Sequence, residues 1–105
     1  MEYKILLACA AGMSTSMLVE KMKESAKTQN IQVIIDAVSE SKARKIIDEY
    51  DVLLLGPQVS HLVDALQRDL QPKGIPVEAI QMMDYGMMNG KNVLNRAIQL
   101  IKEKK

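Results

Sequence analysis

The sequence predicts an α/β fold in three layers: a four-stranded parallel sheet, in the order 2-1-3-4, with helices on both faces. Three observations carry that expectation. Short apolar runs alternate four times with stretches whose apolar residues recur at helical spacing, the connections between them are short, and the first run is almost uninterrupted, as in a strand buried on both faces. Parallel neighbours need a helical crossover, and that crossover is right-handed, so four such units build one sheet covered by helices. At 105 residues the chain falls at the low end of the single-domain range, and one unit spanning 1–105 is expected.

The first strand is "YKILLAC", residues 3–9. From Ser16 onward, Met17, Leu18, Met22 and Ala26 recur at helical spacing while Glu20, Lys21, Lys23, Glu24 and Lys27 fill the other face, which predicts a helix of about four turns. "IQVIIDAV", residues 31–38, is β-branched and reads as the second strand; residues 40–50 then carry Ala43, Ile46 and Ile47 on one helical stripe. "DVLLLGP" gives the third strand, Val52 to Leu55, stopped by Gly56 and Pro57. Ser60 is the expected N-cap of a helix bearing Leu62, Val63, Leu66 and Leu70, which ends near Pro72, Lys73 and Gly74. Residues 76–80 form the fourth and shortest strand, and "QMMDYGMMNG", residues 81–90, reads as a loop. The last helix runs from Gly90 or Lys91 to Lys104 with Val93, Leu94, Ala97, Ile98 and Ile101 inward, its Lys102, Lys104 and Lys105 suiting the negative pole of the helix. In this strand order the connection leaving strand one runs opposite to those that follow. The topological switch therefore lies between strands one and three, where ligands bind outside the carboxyl ends of the strands, and Cys9 ends strand one at that point.

Composition removes several function classes. Fourteen Lys plus Arg against thirteen Asp plus Glu leave a formal charge of +1, which gives no electrostatic footprint for nucleic acid or anionic lipid. A single cysteine forms no internal disulfide, and with one distant histidine, His61, there is no metal-ligand cluster; the cytosol is the expected compartment. His61, on the first turn of a helix, reads as a solvated or capping residue and is assigned no role. No apolar run approaches the roughly 18 residues of a membrane helix. Leu6, Leu7, Ala8 and Cys9 resemble a lipoprotein cleavage box, but the apolar stretch before Cys9 is too short for the roughly 7 to 15 residues of a signal peptide.

The chemistry concentrates at "CAAGMSTS", residues 9–16. If this stretch is a loop that ends as the first turn of a helix, its backbone N–H groups converge near the Cys9 sulfur and the positive helix end faces the same spot. Gly12 permits a positive φ, Ala10 and Ala11 let a ligand approach the backbone, and Ser14, Thr15 and Ser16 offer hydroxyls. The same field favours a thiolate, so Cys9 is expected to be reactive at neutral pH; together these features describe a phosphate carrier on sulfur. Against this stands the plainer reading of a cysteine that ends a buried strand as an inert small hydrophobe. The Walker A pattern and the dinucleotide glycine fingerprint are absent, and Gly12 occupies the partner position of a C-x-x-C pair. A cysteine phosphatase is the sharper rival, since its small tyrosine-specific members use a strand, an anion loop and a helix in a sheet of this type. Their loop reads C-x5-R, whereas Thr15 stands at the arginine position here, and no Asp-Pro pair supplies a leaving-group acid, Asp84 being followed by Tyr85.

Taken with "VLLLGPQV", residues 52–59, and "VEAIQMMDYGMMNG", residues 77–90, the stretch "ILLACAAGMSTSMLVEKM", residues 5–22, resembles the enzyme IIB component of the bacterial sugar phosphotransferase system, lactose/cellobiose (chitobiose) class. The resemblance covers essentially the whole chain. It implies a IIB domain with a fold similar to low-molecular-weight tyrosine phosphatase, needing no cofactor or metal. It implies that Cys9 accepts a phosphoryl group from a phosphohistidine of enzyme IIA and passes it to a sugar delivered by the membrane-embedded enzyme IIC, the carrier acting as a monomer. Ala10, Ala11, Gly12, Met13, Ser14, Thr15 and Ser16 would form the phosphate-binding loop, and Gln58 and Tyr85 are the candidate partner contacts. Met82, Met83, Met87 and Met88 read equally as partner contacts or core filling, and Met13 and Met17 as an apolar rim for enzyme IIA. The sugar, of cellobiose, chitobiose, lactose or another β-glucoside type, is left open.

Overall fold

The computed structural model describes residues 2–9 and 13–103, at 13 and 14 the backbone alone. Four strands, β1 (Glu2–Cys9), β2 (Gln32–Ser39), β3 (Val52–Leu55) and β4 (Val77–Ala79), form one parallel sheet in the order β2-β1-β3-β4. Between and after them run α1 (Met13–Thr28), α2 (Glu40–Ile46), α3 (Val63–Leu70), α4 (Met82–Gly86) and α5 (Gly90–Glu103). The strand order is the expected one.

The sheet has two faces because side chains alternate along a strand. On one, Ile5, Leu7, Val52 and Leu54 pack with Leu18, Val19 and Met22 of α1, and with Val93, Leu94, Ala97, Ile98 and Ile101 of α5. On the other, Leu6, Ala8, Leu53 and Leu55 pack with Ala43 of α2 and with Leu66 and Leu70 of α3. β1 and β3 are central, and where they are covered on both faces, at Ile5–Cys9 and Val52–Leu55, the sequence runs apolar without a break. β2 lies at the edge, and only Ile35 in it is buried.

Several boundaries move for local reasons. α1 starts at Met13, three residues before the predicted helix, because Ser14, Thr15 and Ser16, good capping residues, take up helical backbone here. The chain turns out of it at Asn30, whose left-handed φ of 59° lets the Ile31 N–H reach back to the Ala26 carbonyl at 2.9 Å. α2 is capped by the Ser39 hydroxyl, which accepts from the Lys42 N–H, and tightens into a 3-10 turn at Ile47–Glu49. Ser60 does not cap α3. Pro57 starts a 3-10 segment, Pro57–Leu62, in which the Ser60 hydroxyl donates to the Pro57 carbonyl at 3.1 Å, and α3 begins only after it. Residues 81–90 are not all loop: α4 forms there around the buried Tyr85. The strand-four segment is tied to α5 by a two-pronged ion pair, Arg96 Nε and Nη2 donating to Glu78 Oε2 and Oε1, each at 2.7 Å.

Tyr50, just before β3, donates its hydroxyl to Asp36 Oδ2 of β2 at 2.7 Å. That hydrogen bond to a carboxylate, helped by partial burial, raises the phenol from 10.0 to about 12. A folded-state value above the unfolded one means the contribution is fully present below pH 10 and is lost as pH rises through 12. Ultraviolet titration of phenolate should therefore show one of the three tyrosines ionising near 12, and Asp36→Asn should return it toward 10.0. An unchanged titration in Asp36→Asn would refute the assignment.

Candidate functional site

Cys9 is the last residue of β1 and is buried, 1% exposed, with β2 on one side and the end of β3 on the other. Its thiol donates to the Val38 carbonyl at 3.9 Å. This is the switch point of the sheet, since the chain leaves β1 toward β2 and later crosses to β3 and β4. Ala10, Ala11 and Gly12 lie outside the described residues, as do the side chains of Met13 and Ser14. The sixteen-residue α1 follows, and its first turn carries no acidic side chain to compete for the positive helix end.

β3 delivers the opposite wall. The Gly56 N–H continues the sheet ladder by donating to the Ala8 carbonyl at 2.9 Å. A Cβ at Gly56 would stand 2.9 Å from Gln58 Oε1, 3.5 Å from Cys9 Cβ and 3.6 Å from the Ala8 oxygen. A side chain at this position would push aside the Gln58 amide, which folds back over the strand end beside Cys9. The other end of that amide, Nε2, donates to the Tyr85 hydroxyl at 3.4 Å.

Tyr85 closes the arrangement from α4. It is 8% exposed, packs in the same core as Leu18 and Leu94, and brings its hydroxyl to 3.1 Å from Thr15 Oγ1. Thr15 is 0% exposed, the one fully buried polar side chain among the described residues. Cys9, Thr15, Gln58 and Tyr85, drawn from four separate stretches, thus form one cluster built around Gly56. Gln58 is exposed while Tyr85 faces inward, so the two candidate contacts differ in kind. The Thr15 to Tyr85 contact joins residues 70 apart, and nothing in the local pattern announces it; a lone aromatic within a methionine-rich stretch is its one trace in the sequence. Ser16 is exposed on α1, and His61 is exposed on the 3-10 segment. Met17, Met82, Met83 and Met87 are exposed, whereas Met88, at a left-handed φ of 53°, packs partly against the core.

Sequence comparison matches residues 4–96 to the family described as "PTS system, Lactose/Cellobiose specific IIB subunit". The oligo-β-mannoside-specific EIIB component of Bacillus subtilis is 46% identical over 98 residues, covering 93% of this chain and 95% of that protein. The cellobiose-specific EIIB component of Lactococcus lactis is 41% identical over 102 residues, covering 92% of this chain and 94% of that one. The solution structure of the cellobiose-specific IIB component from Borrelia burgdorferi superposes with a TM-score of 0.83 at 44% identity, over 100% of this chain and 96% of the other. With a family match across most of its length and relatives well above 30% identity, the chain belongs to the lactose/cellobiose-specific IIB subunits of the phosphotransferase system.

Proposed function

We propose that this chain is a cytoplasmic phosphoryl carrier whose Cys9 sulfur holds the phosphoryl group between enzyme IIA and a sugar. EIIB components work with EIIA and the membrane-bound EIIC, and transfer to a sugar during uptake is the role of the family. The observation that carries the assignment to Cys9 is its place: the end of a central strand, at the topological switch, with the start of α1 following and Gly56 beneath. In the first step the Cys9 sulfur gives up its proton and attacks phosphorus. An S–P bond forms as the N–P bond of the donor phosphohistidine breaks, and the imidazole nitrogen leaves with its electron pair and takes up the proton that the sulfur gave up. In the second step a sugar hydroxyl oxygen attacks phosphorus, the S–P bond breaks with its electron pair on sulfur, and the hydroxyl proton passes to that sulfur, which regenerates the thiol. Charge developing on the equatorial oxygens is met by the amides of residues 10–15 and the positive end of α1, with the hydroxyls of Ser14, Thr15 and Ser16 assisting.

Hydrolysis is disfavoured by the same residues. A phosphatase places an arginine where Thr15 stands, but Thr15 is buried against Tyr85, and no Asp-Pro acid is present in the sequence. Exposed Met17, Met82, Met83 and Met87 supply an adaptable apolar surface for the protein partners, with Gln58 as a polar contact and the carrier acting as a monomer. The two relatives are named for oligo-β-mannosides and for cellobiose, so a β-linked oligosaccharide is the substrate class we assign. Among the described residues no helix is long and apolar enough to cross a membrane, so the sugar's passage is assigned to the membrane-bound EIIC.

Intact-mass measurement after incubation with phosphorylated enzyme IIA tests the reading. One added phosphoryl group, mapped to the Cys9 peptide, is expected. Modification at another residue would overturn it, and rapid turnover of an aryl phosphate would favour a hydrolase instead.

A further inference from the structure

Residue 90 has to be small, because α5 opens against the backbone of α1 and a Cβ at Gly90 would stand 2.4 Å from the Lys21 carbonyl carbon. The residue before it has a task of its own. Asn89 Oδ1 accepts the Asn92 N–H at 3.1 Å and its main-chain carbonyl accepts the Val93 N–H at 3.2 Å, so it caps α5. Packing and capping together place an asparagine directly before a glycine. That pair is chemically labile, since a residue with no side chain leaves its amide nitrogen unhindered in approaching the preceding carboxamide. The other three asparagines precede larger residues, Asn30 before Ile31, Asn92 before Val93 and Asn95 before Arg96.

We propose that Asn89 is a site of non-enzymatic deamidation, and that the first turn of α5 sets its rate. The Gly90 nitrogen gives up its proton and bonds to Asn89 Cγ, the bond from Cγ to Nδ2 breaks, and Nδ2 leaves as ammonia. Water then opens the cyclic imide. Breaking the ring bond to Cγ gives aspartate, and breaking the ring bond to the main-chain carbonyl carbon gives isoaspartate. The fold restrains the first step, because attack needs rotation about the Asn89 backbone and side chain. Each group that must turn is pinned: the Asn89 N–H donates to the Asp84 carbonyl at 2.8 Å, the Gly90 N–H to the Met88 carbonyl at 2.9 Å, and Asn89 accepts from Asn92 and Val93. Reaction therefore requires α5 to open at its start. The two products differ in effect. Aspartate still accepts the Asn92 N–H at the positive helix end, whereas isoaspartate lengthens the main chain by one atom where Gly90 has no slack against Lys21.

The test follows conversion of each asparagine by peptide mass spectrometry in mildly alkaline buffer, for the folded protein and for the chain unfolded in urea. Asn89 is expected to convert first in both, about 10- to 100-fold more slowly when folded, the protection given by one or two hydrogen bonds to be opened. Asp84→Ala, which frees the Asn92 amide that now donates to Asp84, should raise the folded rate about 3-fold and leave the unfolded rate unchanged. The isolated isoaspartyl form should melt at least about 4 °C below the wild type, and Asn89→Asp within about 4 °C of it. Conversion at Asn30, Asn92 or Asn95 ahead of Asn89 overturns the site. Equal rates in folded and unfolded protein, or a folded rate that Asp84→Ala leaves unchanged, overturn control by α5. None of these outcomes bears on the assignment of Cys9.

Discussion

Cys9→Ser is expected to lower phosphoryl acceptance by at least about 1000-fold while leaving the fold in place. The two halves of that expectation have separate causes. Serine has nearly the shape of cysteine, so the packing at a 1% exposed position is disturbed by less than a methyl group, although its hydroxyl does not inherit the long thiol contact to the Val38 carbonyl. A cost of roughly 1 kcal/mol follows, or a melting temperature lower by about 4 to 8 °C. Reactivity behaves differently, because sulfur is intrinsically the stronger nucleophile, whereas a serine hydroxyl needs a general base to approach the alkoxide. The chain's one imidazole, His61, is exposed on the 3-10 segment and is assigned no such role. Radiolabel transfer from phosphorylated enzyme IIA, with a parallel thermal melt, separates the two effects. Retention of more than a tenth of the wild-type rate by a folded Cys9→Ser protein would remove the sulfur from the mechanism.

The position of Cys9 is readable because it depends on burial patterns that sequence displays directly. β1 and β3 are covered on both faces, and strands of that kind show as unbroken apolar runs; the run that ends at Cys9 marks where the strand ends. The stop after Leu55 is equally plain, since Gly56 and Pro57 interrupt the pattern. α4 is not readable. Met82, Met83 and Met87 are exposed, so the segment has no apolar face to detect, and the helix exists because one side chain, Tyr85, finds a place in the core. The start of α1 is displaced for a related reason: serine and threonine favour caps when judged locally, but Thr15 is held in the helix by a contact 70 residues away. Ser60 does not act as a cap because Pro57 has already begun a tighter turn. What the sequence conceals is the wall of the site, assembled from contacts of long separation, whereas the nucleophile stands at the end of a local pattern.

Gly90→Ala tests whether α1, and with it the helix end that follows Cys9, is held from the far side of the core. Gly90 opens α5 and lies against the backbone of α1. A Cβ there would stand 2.4 Å from the Lys21 carbonyl carbon and 2.6 Å from both the Lys21 oxygen and the Met22 nitrogen. These are backbone atoms, so no side-chain rotation relieves the clash, and one helix must move. The α5 start has little freedom to do so, because the Asn89 side chain accepts the Asn92 N–H at 3.1 Å and the Asn92 amide donates to Asp84 of α4 at 3.2 Å. Met22 and Leu94 are both fully buried in the core that the two helices share, so displacement also opens packing there. Overpacking of this kind costs about 3 kcal/mol, which lowers the melting temperature of a domain this size by roughly 12 to 24 °C. Gly86→Ala is the control: nothing lies within 4 Å of the place its methyl group would take, and a change within about 1 kcal/mol is expected. If Gly90→Ala melts with Gly86→Ala, the close approach of α5 to α1 is not what sets their spacing. If instead it is folded at low temperature yet slow to accept phosphate, the spacing of these helices reaches the site through Thr15 and Tyr85, which stand on α1 and on the segment joined to α5.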